Sequence, residues 1–265
     1  MPARLDQRRI DDYRRDGYII QRQPVLDEHR FAGLRTHFDA MLADLPRDQR
    51  PEHLDVPHLL DTRLFDWLFD DAVLDLVEPL IGPDIALFSS HFLCKPPGDG
   101  KRVPWHEDGA YWRGMLAPME VVTVWLAIDE SDVANGCMRV IPGSHRRGDS
   151  DYAPVPDPAQ SVFDREVVAH QVDAKRAVDL ELSPNQASLH DAGLMHGSNF
   201  NRSHRRRCGY TMRYMSTRVR FANDSYPHQI YLARGRDHAG NRYGDPARTY
   251  PDLVQARDGV IRKGH

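Results

Sequence analysis

The apolar positions of the first eighty residues fall at helical spacing. Leu5, Ile10 and Tyr13 recur along one face, and Gly17 ends that pattern. From Val25 to Leu45, residues Leu26, Phe31, Leu34, Phe38, Met41 and Leu42 form a continuous stripe. Val73, Leu74, Val77 and Leu80 repeat it over Asp71–Leu80, before Gly82-Pro83. From about Ile85 the texture changes to short β-branched and aromatic runs punctuated by Gly, Pro and Asn. Ile85–Cys94, Val121–Ile128, Arg139–Pro142, Ala177–Leu182, Ala187–Asp191 and Arg206–Thr217 are predicted as strands. Between them DSDYAPVPDPAQ (149–160) is polar and broken by prolines, a surface loop with a mobile lid as the alternative. The tail after Phe221 is Arg/Asp/Gly-rich and weakly periodic. The expected organisation is one domain over 1–265, mainly β with flanking α-helices: a mostly helical flank at 1–83, a β core at 84–220 and a C-terminal extension at 221–265.

Side chains alternate across a strand, so parity assigns faces. In Arg206–Ser216 the even positions include Cys208, Tyr210, Met212 and Tyr214, an apolar packing face. The odd positions Arg207, Gly209, Thr211 and Arg213 make a polar face with one gap. By the same test Val122, Val124, Leu126 and Ile128 pack, whereas Thr123 and Trp125 turn toward a polar interior. Asn199–His204 (NFNRSH) is turn-rich, which predicts His196 and the Arg205–Arg207 run on neighbouring antiparallel strands of a hairpin. A guanidinium turned inward at Arg207 needs a carboxylate, and a dicarboxylate ligand supplies one; the plainer alternative is a solvated hairpin edge.

Composition excludes more than it names. Of 265 residues 40% are apolar, enough for a sizeable core, and Lys+Arg 35 against Asp+Glu 39 gives a net charge of −4. That balance argues against nucleic acid or an anionic membrane surface as partner, and the short basic cluster His204–Arg207 does not change it. The apolar run Val121–Ile128 is far short of the ~20 residues a membrane helix needs. The start MPARLDQRR has charge but no apolar stretch behind it, so a cytoplasmic protein is expected. Three scattered cysteines, Cys94, Cys137 and Cys208, form neither a disulfide framework nor a zinc knuckle. HExxH, GxSxG and GxGxxG are absent, and PPGDGKR (96–102) lacks the residues of a phosphate loop.

What remains is Trp105-His106-Glu107-Asp108. Two residues apart on an extended strand, His106 and Asp108 share a face with Cα atoms ~6.6 Å apart, within reach of one metal ion. His196 adds a distant imidazole. Two histidines and one carboxylate occupy one face of an octahedron and leave the other open, the arrangement that suits non-haem Fe(II). His190 is a competing third ligand, since the chain carries 14 histidines.

In ordered combination these residues resemble a known family. His106-x-Asp108, then NGCMRVIPGSH (135–145), then HGSxxNxS (196–203) with Arg207 eleven residues after His196, is similar to the phytanoyl-CoA dioxygenase family of Fe(II)/2-oxoglutarate-dependent oxygenases. Asp16-Gly17-Tyr18 and Lys95-Pro96-Pro97-Gly98 fit the same pattern, and the resemblance runs from about residue 10 to about 235. It implies a double-stranded β-helix, the cupin-like jelly roll, with His106, Asp108 and His196 on iron. Arg207 would then hold the distal carboxylate of 2-oxoglutarate beside Ser198, with Trp125, Thr123 and His91 lining that pocket. Because Asp108 is present where halogenating relatives have Ala or Gly, the resemblance implies hydroxylation or another oxidation rather than halogen transfer.

The expected chemistry couples oxidative decarboxylation of 2-oxoglutarate by O₂ to removal of hydrogen from a small-molecule substrate, with cyclisation, desaturation or epimerisation as variants. Tyr111 and Trp112 are candidate walls of the substrate pocket. Arg213 is either a substrate anchor or half of an internal ion pair. The Arg- and Asp-rich texture suggests a bacterial chain that tailors a natural product such as an antibiotic; an amino acid, osmolyte or acyl thioester is the alternative substrate. A monomer or homodimer is expected. Two rival classes stay open: a cupin-type metal enzyme that has no use for Arg207, and a non-catalytic binding member.

Overall fold

The computed structural model describes residues 5–222 and 227–263, with side chains to residue 257. In chain order the first strands are β1 (Tyr18–Gln21), β2 (Leu54–Asp55), β3 (Ile85–Lys95), β4 (Val103–His106), β5 (Leu116–Ala117), β6 (Val121–Ala127) and β7 (Met138–Val140). They are followed by β8 (Tyr152–Pro154), β9 (Arg165–Val167), β10 (Val178–Leu180), β11 (Ala187–Asp191), β12 (His196–Ser198), β13 (Arg207–Ser216), β14 (Arg220–Phe221) and β15 (Tyr231–Arg234). Antiparallel pairing assembles a larger sheet in the order β1-β11-β6-β13-β3-β15, with β2 added beside β3. A smaller sheet runs β10-β7-β12-β4. The two face each other as a double-stranded β-helix, and the alternation read from the sequence decides which side of the larger sheet does what.

Its outer face carries the even residues of β13, among them Tyr210, Met212 and Tyr214, together with Val122, Val124 and Leu126 of β6, all essentially inaccessible. Helices cover this face. Gln7–Asp16 starts where Asp6 accepts a hydrogen bond from Arg9 N and ends at Gly17, whose φ of 80° suits a residue without Cβ. Glu28–Ala43 is capped by Asp27 and turns Phe31, Leu34 and Phe38 inward; Asp71–Ile81, capped by Asp70, does the same with Val73, Leu74 and Val77. Each such fully buried aliphatic or aromatic side chain stabilises by roughly 1.5–3 kcal/mol, which is why the stripe rather than the caps fixes where the helices sit.

The inner face of the larger sheet is polar in its middle and apolar at both ends. Trp125, Ala127, Met138, Val140, Leu180 and Leu194 form one small cluster between the sheets, and Phe88, Trp112, Leu116, Val121, Met215 and Ile230 form another. The candidate site lies between them.

Three local expectations are corrected. His196 and Arg207 do not lie on neighbouring strands: β12 pairs with β4 and β7, whereas β13 pairs with β3 and β6, so the turn at 199–206 crosses from one sheet to the other. The crossing is stabilised by buried Asn201, whose amide nitrogen donates to the carbonyls of Lys95, Pro96 and Arg205. His106 ends β4 while Asp108 begins a single helical turn, Asp108–Tyr111; the shared face survives because Glu107 between them is extended, at φ −119° and ψ 126°. The segment 149–160 is not all loop, since β8 within it pairs with β9. The helical flank and the tail each contribute a strand to the larger sheet, β1 and β15, and the tail also holds a helix, Pro251–Lys263. Among the described residues no helix is long and apolar enough to cross a membrane.

Candidate metal centre

The small sheet delivers the two imidazoles. His106 and His196 are direct cross-strand partners between β4 and β12, and their ring centroids lie 4.1 Å apart. Each ring is fixed in the same way: Nδ1 of His106 donates to Pro104 O at 2.8 Å and Nδ1 of His196 donates to Leu194 O at 2.9 Å. With the proton on Nδ1, each Nε2 keeps a free lone pair, as a metal ligand requires. Asp108 Oδ1 lies 3.7 Å from His106 Nε2, and one donor atom from each of His106, Asp108 and His196 falls within 4.8 Å of the others.

All three are buried. Burial alone would push the Asp108 carboxyl up, but Arg213 and the two histidines more than offset it and hold it well below the usual carboxylate range. Burial, then neighbouring His106 and His190, pushes His196 well below the ordinary histidine value. One ionised carboxylate and two imidazoles, each with Nδ1 tied to the backbone, converge on one point; that donor set fits a first-row divalent metal and leaves further positions open.

His190 does not complete a four-ligand set. Its ring is 4.8 Å from that of His196 and its Nε2 is 4.0 Å from Asp108 Oδ2, but it lies outside the group that can meet one ion. Both of its nitrogens lack a hydrogen-bond partner, and burial pushes its pKa down to about 4.

The larger sheet supplies the opposite wall. Arg207, 2% exposed, donates from Nε and Nη2 to the single acceptor Gly136 O at 3.0 and 2.7 Å, and its guanidinium lies 5.1 Å from the Trp125 ring. Trp125 can lie there because Gly209 leaves the gap: a Cβ at Gly209 would stand 2.1 Å from the indole. Directly opposite Arg207 on β3 is Lys95, wholly buried, with Nζ donating to Ser198 Oγ at 2.7 Å and to Asn199 O. Neither cation has a carboxylate partner among the described residues. Burial pushes Arg207 down to about 10, and burial together with Arg207 pushes Lys95 well below its ordinary value. Arg207 lines the cavity, and Lys95 stands behind its wall on Ser198; two buried cations without a carboxylate are costly in isolation and fit an anionic ligand.

His106, Asp108, His196, Ser198, Trp125, Arg207 and Arg213 line one cavity holding about 420 Å³ of empty volume, part of it open to solvent, with His190 and Thr211 also on its wall. The other expected residues lie elsewhere. Thr123 sits beneath the triad with Oγ1 donating to Asp108 Oδ2 at 3.3 Å. His91 hydrogen-bonds Glu52 O and faces Asp55, outside the cavity wall. Trp112 is buried against Phe88; Arg213, on the cavity wall itself, is paired with Asp108. Tyr111 is 44% exposed, outside the cavity lining, with its ring 6.0 Å from that of His106.

Two contributors were not read from the sequence. Lys95 lies one residue past the predicted end of its strand, although its parity matches Leu93 and His91. Phe163 closes over the triad, 4.9 Å from the His106 ring and 5.6 Å from Tyr111, and a single loop aromatic carries no sequence signal.

Residues 13–209 match the phytanoyl-CoA dioxygenase (PhyH) family. Dioxygenase lolE1 of Epichloe uncinata is 28% identical over 142 residues, 54% of this chain and 50% of the relative, so the chain spans about half the length of that relative. Ectoine dioxygenase of Bordetella parapertussis is 24% identical over 218 residues, covering 72% of this chain and 69% of the relative. Among solved structures the non-heme monooxygenase ThoJ superposes with a TM-score of 0.73 at 23% identity, covering 96% of this chain and 94% of that one; this likeness supports the fold.

Proposed function

The chain belongs to the phytanoyl-CoA dioxygenase family, and from that premise we propose that it is a non-haem Fe(II)- and 2-oxoglutarate-dependent dioxygenase. It oxidises an unactivated C–H bond of a small molecule, in the first instance by hydroxylation. One observation carries the reading: a two-histidine, one-carboxylate cluster and an unpaired buried guanidinium open on the same cavity from opposite sheets.

Fe(II) held by His106, Asp108 and His196 would supply O₂ activation coupled to decarboxylation of 2-oxoglutarate to succinate and CO₂. The chain's own residues do the rest. Arg207 takes the distal carboxylate as a charge-assisted donor, and Lys95, donating to Ser198 behind the wall, adds its charge and orients that hydroxyl. Trp125, with its ring 5.1 Å from the guanidinium carbon, steadies Arg207. Thr211 Oγ1 and the His190 nitrogens, buried and unpartnered, are available to its polar atoms. Phe163 and Tyr111 narrow the approach, keep water from the reacting centre and offer the substrate an aromatic rather than a charged edge. With Arg213 already paired, the described cavity wall has no cation left for an anionic substrate group, which favours a neutral natural-product intermediate over an amino acid or acyl-CoA.

The test is anoxic titration of the Fe(II)-loaded protein with 2-oxoglutarate, read as the visible charge-transfer absorption of the chelate, followed by succinate release in air. The wild type should show both and His196→Ala neither. A wild type that binds Fe(II) but shows no 2-oxoglutarate chelate would replace this reading with a 2-oxoglutarate-independent cupin enzyme.

A further inference from the structure

The two oxygens of Asp108 stand in different surroundings. Oδ1 faces the imidazoles, 3.7 Å from His106 Nε2. Oδ2 is turned toward the larger sheet, where Thr123 Oγ1 donates to it at 3.3 Å and Arg213 Nε donates at 3.2 Å. His190 Nε2 stands 4.0 Å from the same oxygen. These three residues are not a chance assortment. Thr123 on β6 is the direct register partner of His190 on β11 and of Arg213 on β13, so they form one row across three adjacent strands. Arg213 is itself stacked 5.5 Å over Trp112, which limits its freedom to let go.

We propose that this row is a monodentate lock: Arg213 and Thr123 hold Oδ2 so that Asp108 offers the metal one oxygen only, which keeps a coordination position free for the cosubstrate. The inference rests on the metal reading above and concerns positioning residues, not ligands. Its physical basis is competition. A carboxylate beside a divalent ion can bind through one oxygen or both, and the second mode uses a position that a bidentate 2-oxo acid needs. A cationic donor on Oδ2, in a closed site of low dielectric, favours the first mode. The lock therefore makes an unusual prediction. Removing it costs the protein little metal affinity, because a released Oδ2 can swing onto the ion and a repelling cation is gone, while affinity for the cosubstrate falls.

The experiment compares wild type, Arg213→Met, Arg213→Lys and Thr123→Val in anoxic titrations, first with Co(II) or Fe(II) alone and then with 2-oxoglutarate. Arg213→Met and Thr123→Val should keep the metal Kd within about threefold of wild type or tighten it, alter the Co(II) ligand-field spectrum, and raise the 2-oxoglutarate Kd about tenfold. Arg213→Lys, which restores a cationic donor, should recover most of that loss. A merely structural role would weaken metal and cosubstrate binding together, and either that result or unchanged Kd values in both variants overturns the lock. Thr123→Val is close to isosteric, so it keeps the test sound if Arg213→Met folds poorly. Failure of the wild type to bind Co(II) would overturn the metal centre itself, and the lock with it; binding by the wild type with an unaltered Arg213→Met would overturn the lock alone.

Discussion

Replacing Arg207 with Met separates its role as ligand anchor from its role as a structural residue. Nε and Nη2 both spend a hydrogen on Gly136 O, so a guanidinium with five N–H groups keeps three for a ligand. Two bonds from them to a carboxylate, at about 1.5–3 kcal/mol each, put the loss of 2-oxoglutarate affinity at roughly 3–6 kcal/mol, or about 10²- to 10⁴-fold in Kd. Lys95 stays behind and retains part of the attraction, so the lower end is expected. Folding stability should respond quite differently. Burial holds the guanidinium at about 10 against 12.5, which is about 3 kcal/mol of strain on the cation relieved by Met. Against this, the Gly136 carbonyl loses its donors at about 1–3 kcal/mol. The two nearly cancel, so the ligand-free variant should unfold in urea within about 2 kcal/mol of wild type. Calorimetric titration with 2-oxoglutarate and urea denaturation of the apo protein test both halves. An Arg207→Met protein that binds 2-oxoglutarate within threefold of wild type would refute the anchor; one that unfolds would show that the residue is needed for the fold instead.

Four further outcomes follow from the same geometry. Gly209→Ala places a methyl where the Trp125 ring now lies, 2.1 Å from its nearest atoms, so the indole must leave and 2-oxoglutarate affinity should drop tenfold or more by titration. Lys95 is held well below its ordinary value by burial and by Arg207, and a bound dianion restores its proton. Binding should then take up protons at any pH above that lowered value and below the ordinary lysine one, and affinity should fall as pH rises through that window. Calorimetry in two buffers of different ionisation heat reads this, and Lys95→Met should abolish the uptake. Co(II) at a hundredfold excess over its Kd should stabilise the fold by about 2.7 kcal/mol, reversibly with a chelator and not in His196→Ala; a thermal shift that survives His196→Ala would place the ion elsewhere. Phe163→Ala opens the cover over the triad, so 2-oxoglutarate consumption without substrate oxidation should rise several-fold, measured as the ratio of succinate to oxidised product.

Parity carried most of the legible information. Along β13 and β6 it separated the residues that face the helices from those that face the cavity, because these strands, buried on both sides, meet an apolar helical layer on one face and a polar cavity on the other. The helical stripes were readable for the same reason. What escaped was non-local. Whether the chain after Ser198 folds back within its sheet or crosses to the other is decided by Asn201 reaching the carbonyls of Lys95 and Pro96, a contact across more than a hundred residues. Lys95 fell outside its strand because strand ends are set by partners, here Arg207. β12 is three residues long, too short for any periodicity. The two-sided environment of Asp108 was likewise invisible, since it needs three strands in register.

The crossing at residues 199–206 has a consequence for what the pocket can measure. His196 stands at one end of it and Arg207 at the other, on opposite walls, and the side chain of Asn201 ties the bend to the end of β3. One amide thus pins the bend between two jaws, the His196 imidazole and the Arg207 guanidinium. A change there would alter the bite, and on the proposed reading the length of diacid that fits between the jaws, without touching either one.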